Sequence, residues 1–155
     1  MIRKATAADL QAIIEMGYRL CDRTPQAHVK RDRPSIAKQL TACMSSAFGC
    51  VFVAEHEKQI TGVIVGIAQQ FWFSNQRQAV DLMFVAERVG DGPRLLKAFV
   101  EWAWKVPGVV EVAGAQSSGI EIERTAEMYE RLGFQRVGSV FSMNQRPKKP
   151  QARAA

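Results

Sequence analysis

Residues 82–99 read LMFVAERVGDGPRLLKAF. The first five close an apolar run, AVDLMFVA (79–86), with strand character. Leu95, Leu96, Phe99, Val100 and Ala103 then recur at helical spacing. Between them lies ERVGDGP, a turn with two glycines, and Pro93 suits the first position of a helix. Strand, glycine turn and helix N-terminus in that order make a potential anion site. Unpaired backbone N–H groups point out of the first helical turn, and the aligned peptide dipoles add about half a positive charge. Gly90 and Gly92 permit close backbone approach to a ligand. They would serve a plain strand-to-helix turn equally well, and the glycine spacing alone does not separate the two.

Working outward, Ile2 to Ala5 read as a short strand and Thr6 as an N-cap, with Asp9 closing a variant capping box. Leu10, Ile13, Ile14, Gly17, Leu20 and Cys21 stripe a first helix, which ends before Pro25. After a polar connection, Ser35 caps a second helix with Ile36, Leu40, Cys43, Met44 and Ala47 on its apolar face. CVFVAE (50–55), the turn HEKQ and ITGVIVGIAQQFWF (60–73) read as a hairpin. Beyond the 82–99 unit, VVEVAGA (109–115) is a strand and Glu123–Leu132 a helix stopped by Gly133. FQRVGSVFSMN (134–144) supplies one or two closing strands. The order β-α-α-β-β-β-α-β-α-β(-β) predicts an α/β (α+β) domain over residues 1–144, a mixed sheet flanked by helices.

A chain of 155 residues and 17.3 kDa is one domain's worth. Its 47% apolar and 23% charged residues exclude a fibrous or mostly disordered protein. The net charge is +6, but four of the 21 basic residues and none of the 15 acidic ones lie in QRPKKPQARAA (145–155). That leaves +2 for residues 1–144, a weak electrostatic case for a nucleic-acid-binding body. The tail itself is expected to be mobile. The start, MIRKATAADLQ, has no apolar signal-peptide core. Cys21, Cys43 and Cys50, without CxxC spacing, read as reduced thiols of a cytoplasmic protein. His28 and His56 have no second ligand at a recognisable metal-site spacing, so no metal is expected. Residues 59–76 carry no formal charge. Their glutamines and β-branched run point to a strand buried on both faces, and no membrane span is expected.

Four pieces, in order and spacing, resemble the GNAT superfamily of acyl-CoA-dependent N-acetyltransferases. IRKATAADLQAI is similar to its first strand and helix, and VFVAEHEKQITGVIVG to its next two strands. LMFVAERVGDGPRLLKAF resembles its fourth strand, pyrophosphate loop and third helix. Tyr129–Phe134 resembles its C-terminal Tyr-x-x-x-Gly-Phe signature. The short loop and Leu-Leu-Lys-Ala-Phe helix are similar to phage-encoded relatives. The resemblance implies a mostly antiparallel sheet and acetyl-CoA as co-substrate, held by Phe84, Val85, Arg88, Val89, Gly90, Asp91, Gly92 and Arg94. It also implies an amine acceptor. The loop departs from the family's Gln/Arg-x-x-Gly-x-Gly/Ala: Glu87 holds the first position, Asp91 places an anion in the loop, and Pro93 lacks an N–H. Arg88 and Arg94 are positioned to compensate by pairing with phosphate.

The reaction this implies is direct attack of a neutral amine on a thioester. Asp81, on the fourth strand, is the candidate to take or orient the amine proton. Strand alternation puts it on one face with Met83 and Val85. Tyr129 matches the family tyrosine that protonates the leaving thiolate; plain helix packing is its other reading. Cys50 heads a strand without a nearby histidine and reads as a buried structural thiol. Phe71, Trp72 and Phe73 belong to an acceptor pocket, a core or an interface. Trp102 and Trp104 cannot share a helix face, so one is expected to be partly exposed. Residues 19–38 carry +4, a basic rim for an acidic acceptor or a solvated loop. The expected function is acetyl transfer from acetyl-CoA to an amine in a ternary complex, with a homodimer or larger assembly as the candidate oligomeric states. The rivals are a catalytically silent fold kept as a structural or binding protein, and a nucleic-acid binder using the tail and basic loop.

Overall fold

The computed structural model describes residues 1–144. Its sheet grows from the hairpin of β2 (Gly49–His56) and β3 (Gln59–Gln70). Glu57 and Lys58 make the turn at φ 49° and 65°, the left-handed pair that matches strand twist. β1 (Ile2–Lys4) pairs with β2, and β4 (Arg77–Ala86) with β3, all antiparallel. β5 (Val109–Ala113) is parallel to β4, because α3 (Asp91–Ala103) crosses between them. The spatial order is β1-β2-β3-β4-β5.

Helices α1 (Leu10–Asp22) and α2 (Arg33–Ser45) cover one face. Ile13, Ile14, Met16 and Leu40 pack there on Val51, Val53, Val63 and Val65. Helices α3 and α4 (Ile122–Arg131) cover the other, with Leu95, Leu96, Phe99 and Tyr129 on Ala54, Ile64 and Ala79. β3 is buried on both faces, which accounts for the uncharged run. Among the described residues no helix is long and apolar enough to cross a membrane. α3 lies close to the sheet over Gly66, where a β-carbon would stand 2.7 Å from Phe99 Cδ2.

The mixed sheet and flanking helices are as expected. Several details differ. α2 begins at Arg33 rather than after Ser35, so Pro34 occupies its first turn, where its missing N–H costs nothing. α3 likewise begins at Asp91, two residues before Pro93. β3 ends at Gln70, and Phe71, Trp72 and Phe73 leave it as a turn. They cluster on one another, with Trp72 94% exposed. Trp102 packs on Phe99 at 5.9 Å while Trp104 is exposed. The closing strands over 134–144 are not formed, and the described order ends on α4. A strand exists only against a partner, and beyond Phe134 this segment makes no backbone hydrogen bond among the described residues. The tail, 145–155, lies outside them.

Candidate active site

β4 and β5 pair from Arg77↔Val109 to Val80↔Ala113 and no further. β4 runs on to Ala86 paired with β3 alone, so among the described residues the other edge of 82–86 has no strand beside it. Asp81 stands at the fork. Its Oδ1 accepts the Ala115 N–H at 3.1 Å, which ties the two diverging strands.

The alternation expected for Asp81 is broken by a bulge. Gly66 pairs with Asp81 but Val65 with Met83, leaving Leu82 unopposed and exposed. Met83 and Val85 therefore pack toward α1 and α2, whereas Ala79 and Phe84 belong to the α3–α4 face. Asp81 is on that second face, with Ala79, rather than with Met83 and Val85. One extra residue re-aims the carboxylate.

Tyr129 faces it from α4. Only 8% of the residue is exposed. The ring packs edge-on against Phe134 at 5.1 Å. Gly133, at φ 91°, turns the chain so that the Phe134 N–H reaches the Tyr129 carbonyl at 3.1 Å. The Tyr-x-x-x-Gly-Phe spacing thus locks the tyrosine's own helix end. Burial, then the neighbouring Asp81 charge, pushes the phenol well above its usual range. It keeps its proton at neutral pH and has that proton to donate. Burial also raises the Asp81 carboxyl, partly offset by the Ala115 N–H, which moves it toward useful basicity. The phenol hydroxyl makes no hydrogen bond with a described residue, and no buried side-chain polar atom among them lacks a partner.

The loop 87–90 lies beyond the open end of β4. Gly90 is the α3 N-cap at φ 89°, a conformation that favours glycine. The Asp91 N–H is taken by the Arg88 carbonyl, and Pro93 has none. The N–H groups of Arg88, Val89, Gly90 and Gly92 donate to no described residue, and they are the donors left for an anion. Asp91 does not intrude among them. It is 3% exposed and turned inward, where its Oδ2 accepts from the Thr61 hydroxyl at 2.6 Å. Arg88 Nη1 is 3.8 Å from Oδ1. The Thr61 carbonyl accepts the Glu87 N–H at 2.8 Å, so one β3 residue clasps the loop twice. Glu87 pairs with Arg19 of α1 at 2.8 Å. Nothing in the sequence marked Thr61 for this role.

The other candidates divide. Met128, next to Tyr129, would stand 3.3 Å from a β-carbon at Gly92, which links the loop to the tyrosine helix. Phe84 lies on the same side, while Val85 could reach a ligand there only through its backbone. Arg94 borders a shallow depression on the β1–β2 side of α3, with Ile2, Phe52 and Lys97. Cys50 is buried, its thiol pushed up to about 12. Phe71–Phe73 lie at the far end of β3 from the loop, outside this site. In the basic rim Arg19, Arg31 and Arg33 pair with Glu87, Asp22 and Glu15, which removes much of its charge. Among the described residues no cluster of three His, Cys, Asp or Glu could hold a metal.

No protein-family model matches the chain, and no curated protein matches it in sequence. Solved structures do match in shape. A transcriptional regulator from Bacillus halodurans C-125 superposes with TM-score 0.72 at 19% identity, over 94% of this chain and 99% of that one. AAC(6')-Iy, in complex with the bisubstrate analog CoA-S-monomethyl-acetylneamine, gives 0.71 at 14% identity, over 95% and 98%. Glucosamine-6-phosphate N-acetyltransferase from Arabidopsis thaliana gives 0.70 at 15%, over 92% and 96%. The chain has the fold shared by these proteins, the mixed sheet expected of the GNAT superfamily.

Proposed function

We propose that this chain is a GNAT-superfamily acyltransferase that moves an acetyl group from acetyl-CoA to an amine by direct attack in a ternary complex. The observation that carries the reading is the meeting of Asp81 and Tyr129 at the fork between β4 and β5, beside the open β4 edge and the free amides of Arg88, Val89, Gly90 and Gly92. The loop amides and Arg88 would take the pyrophosphate, and the edge of 82–86 the extended arm leading to the thioester. Asp81, directly or through a water, takes the proton of the attacking amine as the C–N bond forms. The C–S bond breaks, and the Tyr129 hydroxyl gives its proton to the departing sulfur. The acetyltransferase neighbours support the reading at the level of fold.

Calorimetry with acetyl-CoA on the full chain tests it, followed by thiol release with a panel of aminoglycoside, amino-sugar and peptide amines. Micromolar binding with acceptor-dependent thiol release is expected. A second reading, a silent fold serving as a binding or structural protein, is favoured by Glu87, whose carboxylate stands at the loop where the family carries Gln or Arg. Absence of binding at millimolar acetyl-CoA would make it the better one.

A further inference from the structure

We propose that Arg19 of α1 binds the pyrophosphate of acetyl-CoA, as a cation that a neighbouring helix lends to the loop and that Glu87 holds in place. The inference rests on the acetyl-CoA reading of the loop and names a residue which that reading did not include. Sixty-eight residues separate the pair in the chain. Arg19 Nε donates to Glu87 Oε1 at 2.9 Å, and Nη2 lies 2.8 Å from the same oxygen. A guanidinium has five N–H groups in one plane. Two are taken by Glu87, and the rest bond to no described residue. Both side chains stay about half exposed, so the fork is open to a ligand.

The pair is anchored from both sides. The Glu87 N–H donates to the Thr61 carbonyl at 2.8 Å, which ties its backbone to β3. On the other side Gly17 lets α1 settle onto β4, where a β-carbon would stand 3.1 Å from Met83 Sδ. That close approach brings the C-terminal half of α1 to the end of β4 that carries the loop. Charge argues the same way. Glu87 and Asp91 put two carboxylates at a loop whose own cation, Arg88, leans toward the buried Asp91, 3.8 Å away. Arg94 borders the β1–β2 side of α3. Without Arg19 the carboxylates outnumber the cations there, a poor seat for a diphosphate. With it the charges balance, and the free amides and the helix end tip the site toward an anion. Glu87 therefore has a use where the family carries Gln or Arg: a carboxylate holds a guanidinium by a charge-assisted bond, and an amide side chain would hold it less firmly.

Calorimetry of CoA on the full chain, at low and high salt, tests it. A second probe, 3'-dephospho-CoA, lacks one phosphate and keeps the pyrophosphate. Arg19→Gln should weaken both probes alike by about tenfold or more, the size of a lost charge-assisted hydrogen bond, and should flatten the salt dependence. Circular dichroism and Tm should hold, since the ion pair is exposed. Adding Glu87→Gln to Arg19→Gln should recover only part of the loss. Should the glutamine variant misfold, Arg19→Lys, which keeps the charge and loses the fork, must weaken both probes by a few-fold. Parent-like affinity in Arg19→Gln overturns the proposal. So does full recovery in the double variant, which would mean that Arg19 only cancels Glu87. So does a loss confined to CoA, which would put Arg19 on the 3'-phosphate. A parent chain that binds neither probe removes the acetyl-CoA reading itself, and the proposal with it.

Discussion

The backbone of Gly114, one residue past β5, lies against the ring of Tyr129. A β-carbon there would stand 2.6 Å from Cζ and 2.8 Å from the hydroxyl oxygen, closer than any real side chain tolerates. The phenol is therefore placed by the end of a strand as much as by its own helix. Gly114→Ala should push the hydroxyl off its position by a few tenths of an ångström or more. Turnover should fall by about tenfold or more, with acetyl-CoA affinity nearly unchanged, since misplaced reacting groups lose rate before binding. Steady-state kinetics beside calorimetry would show this. A variant of unchanged kcat would leave the contact as packing alone.

Tyr129→Phe keeps the ring, and with it the edge-on contact to Phe134, and removes only the hydroxyl. If that hydroxyl protonates the sulfur, kcat should drop by about 10²-fold or more, the range of general acid catalysis. The Tm and the affinity for acetyl-CoA should hold. A normal rate would remove Tyr129 from the chemistry.

Much of this was legible in the chain. Apolar stripes at helical spacing placed the helices, and apolar, β-branched runs between turn signals placed β2 to β5, β3 as a strand buried on both faces. Tyr129 was legible from its spacing to Gly133 and Phe134. The direction of Asp81 was not. Alternation predicts its face correctly only without a bulge, and the unopposed Leu82 depends on how β3 pairs across the sheet. Asp91 was misread for a related reason. A carboxylate in a phosphate loop looks like an intruder until Thr61, thirty residues earlier in the chain, is seen to hold it inside. The closing strands read well as local pattern, but a strand needs a neighbour, and no local pattern supplies one.

The raised Asp81 carboxyl makes a pH prediction. A group displaced upward by burial loses its proton only above the ordinary aspartate range, so kcat/KM should rise with pH along a limb centred above 3.8. Asp81→Asn should abolish that limb and lower the rate across the profile. A limb that persists in the variant belongs to another group, such as the acceptor amine.

Asp9 carries an acid-stability prediction of opposite sign. It takes two bonds from Arg3, at 2.8 and 2.9 Å, and the Thr6 N–H at 2.8 Å. These hold its carboxyl down at about 2 against an ordinary 3.8. A depressed carboxyl stabilises the fold above its unfolded value, and that stability disappears as pH falls from about 4 toward 2. The shift corresponds to about 2 kcal/mol. Asp9→Asn should lower the Tm at pH 7 by roughly 4–8 °C. The gap to the parent should close near pH 2. A gap that does not narrow with acid would place the loss in packing instead.

Asp91 separates two pictures of the loop. If its carboxylate faced the pyrophosphate, Asp91→Asn would tighten acetyl-CoA binding, most at low salt, by removing like charge. The structure predicts the reverse. The carboxylate is inside, bonded to the Thr61 hydroxyl, with its charge near the positive end of α3 and 3.8 Å from Arg88. Neutralising it removes the helix-end attraction and the hold on Arg88, and weakens the bond to Thr61. The loop amides then lose their fixed direction. Affinity for acetyl-CoA should fall by about tenfold, and the fold should lose about 1–2 kcal/mol. Thr61→Val, which removes the other half of the bond, should do the same. The double variant should cost less than the two losses combined, because both act on one contact. Additive losses would mean that Thr61 and Asp91 reach the loop by separate routes, and tighter binding by Asp91→Asn would put the carboxylate back among the phosphates.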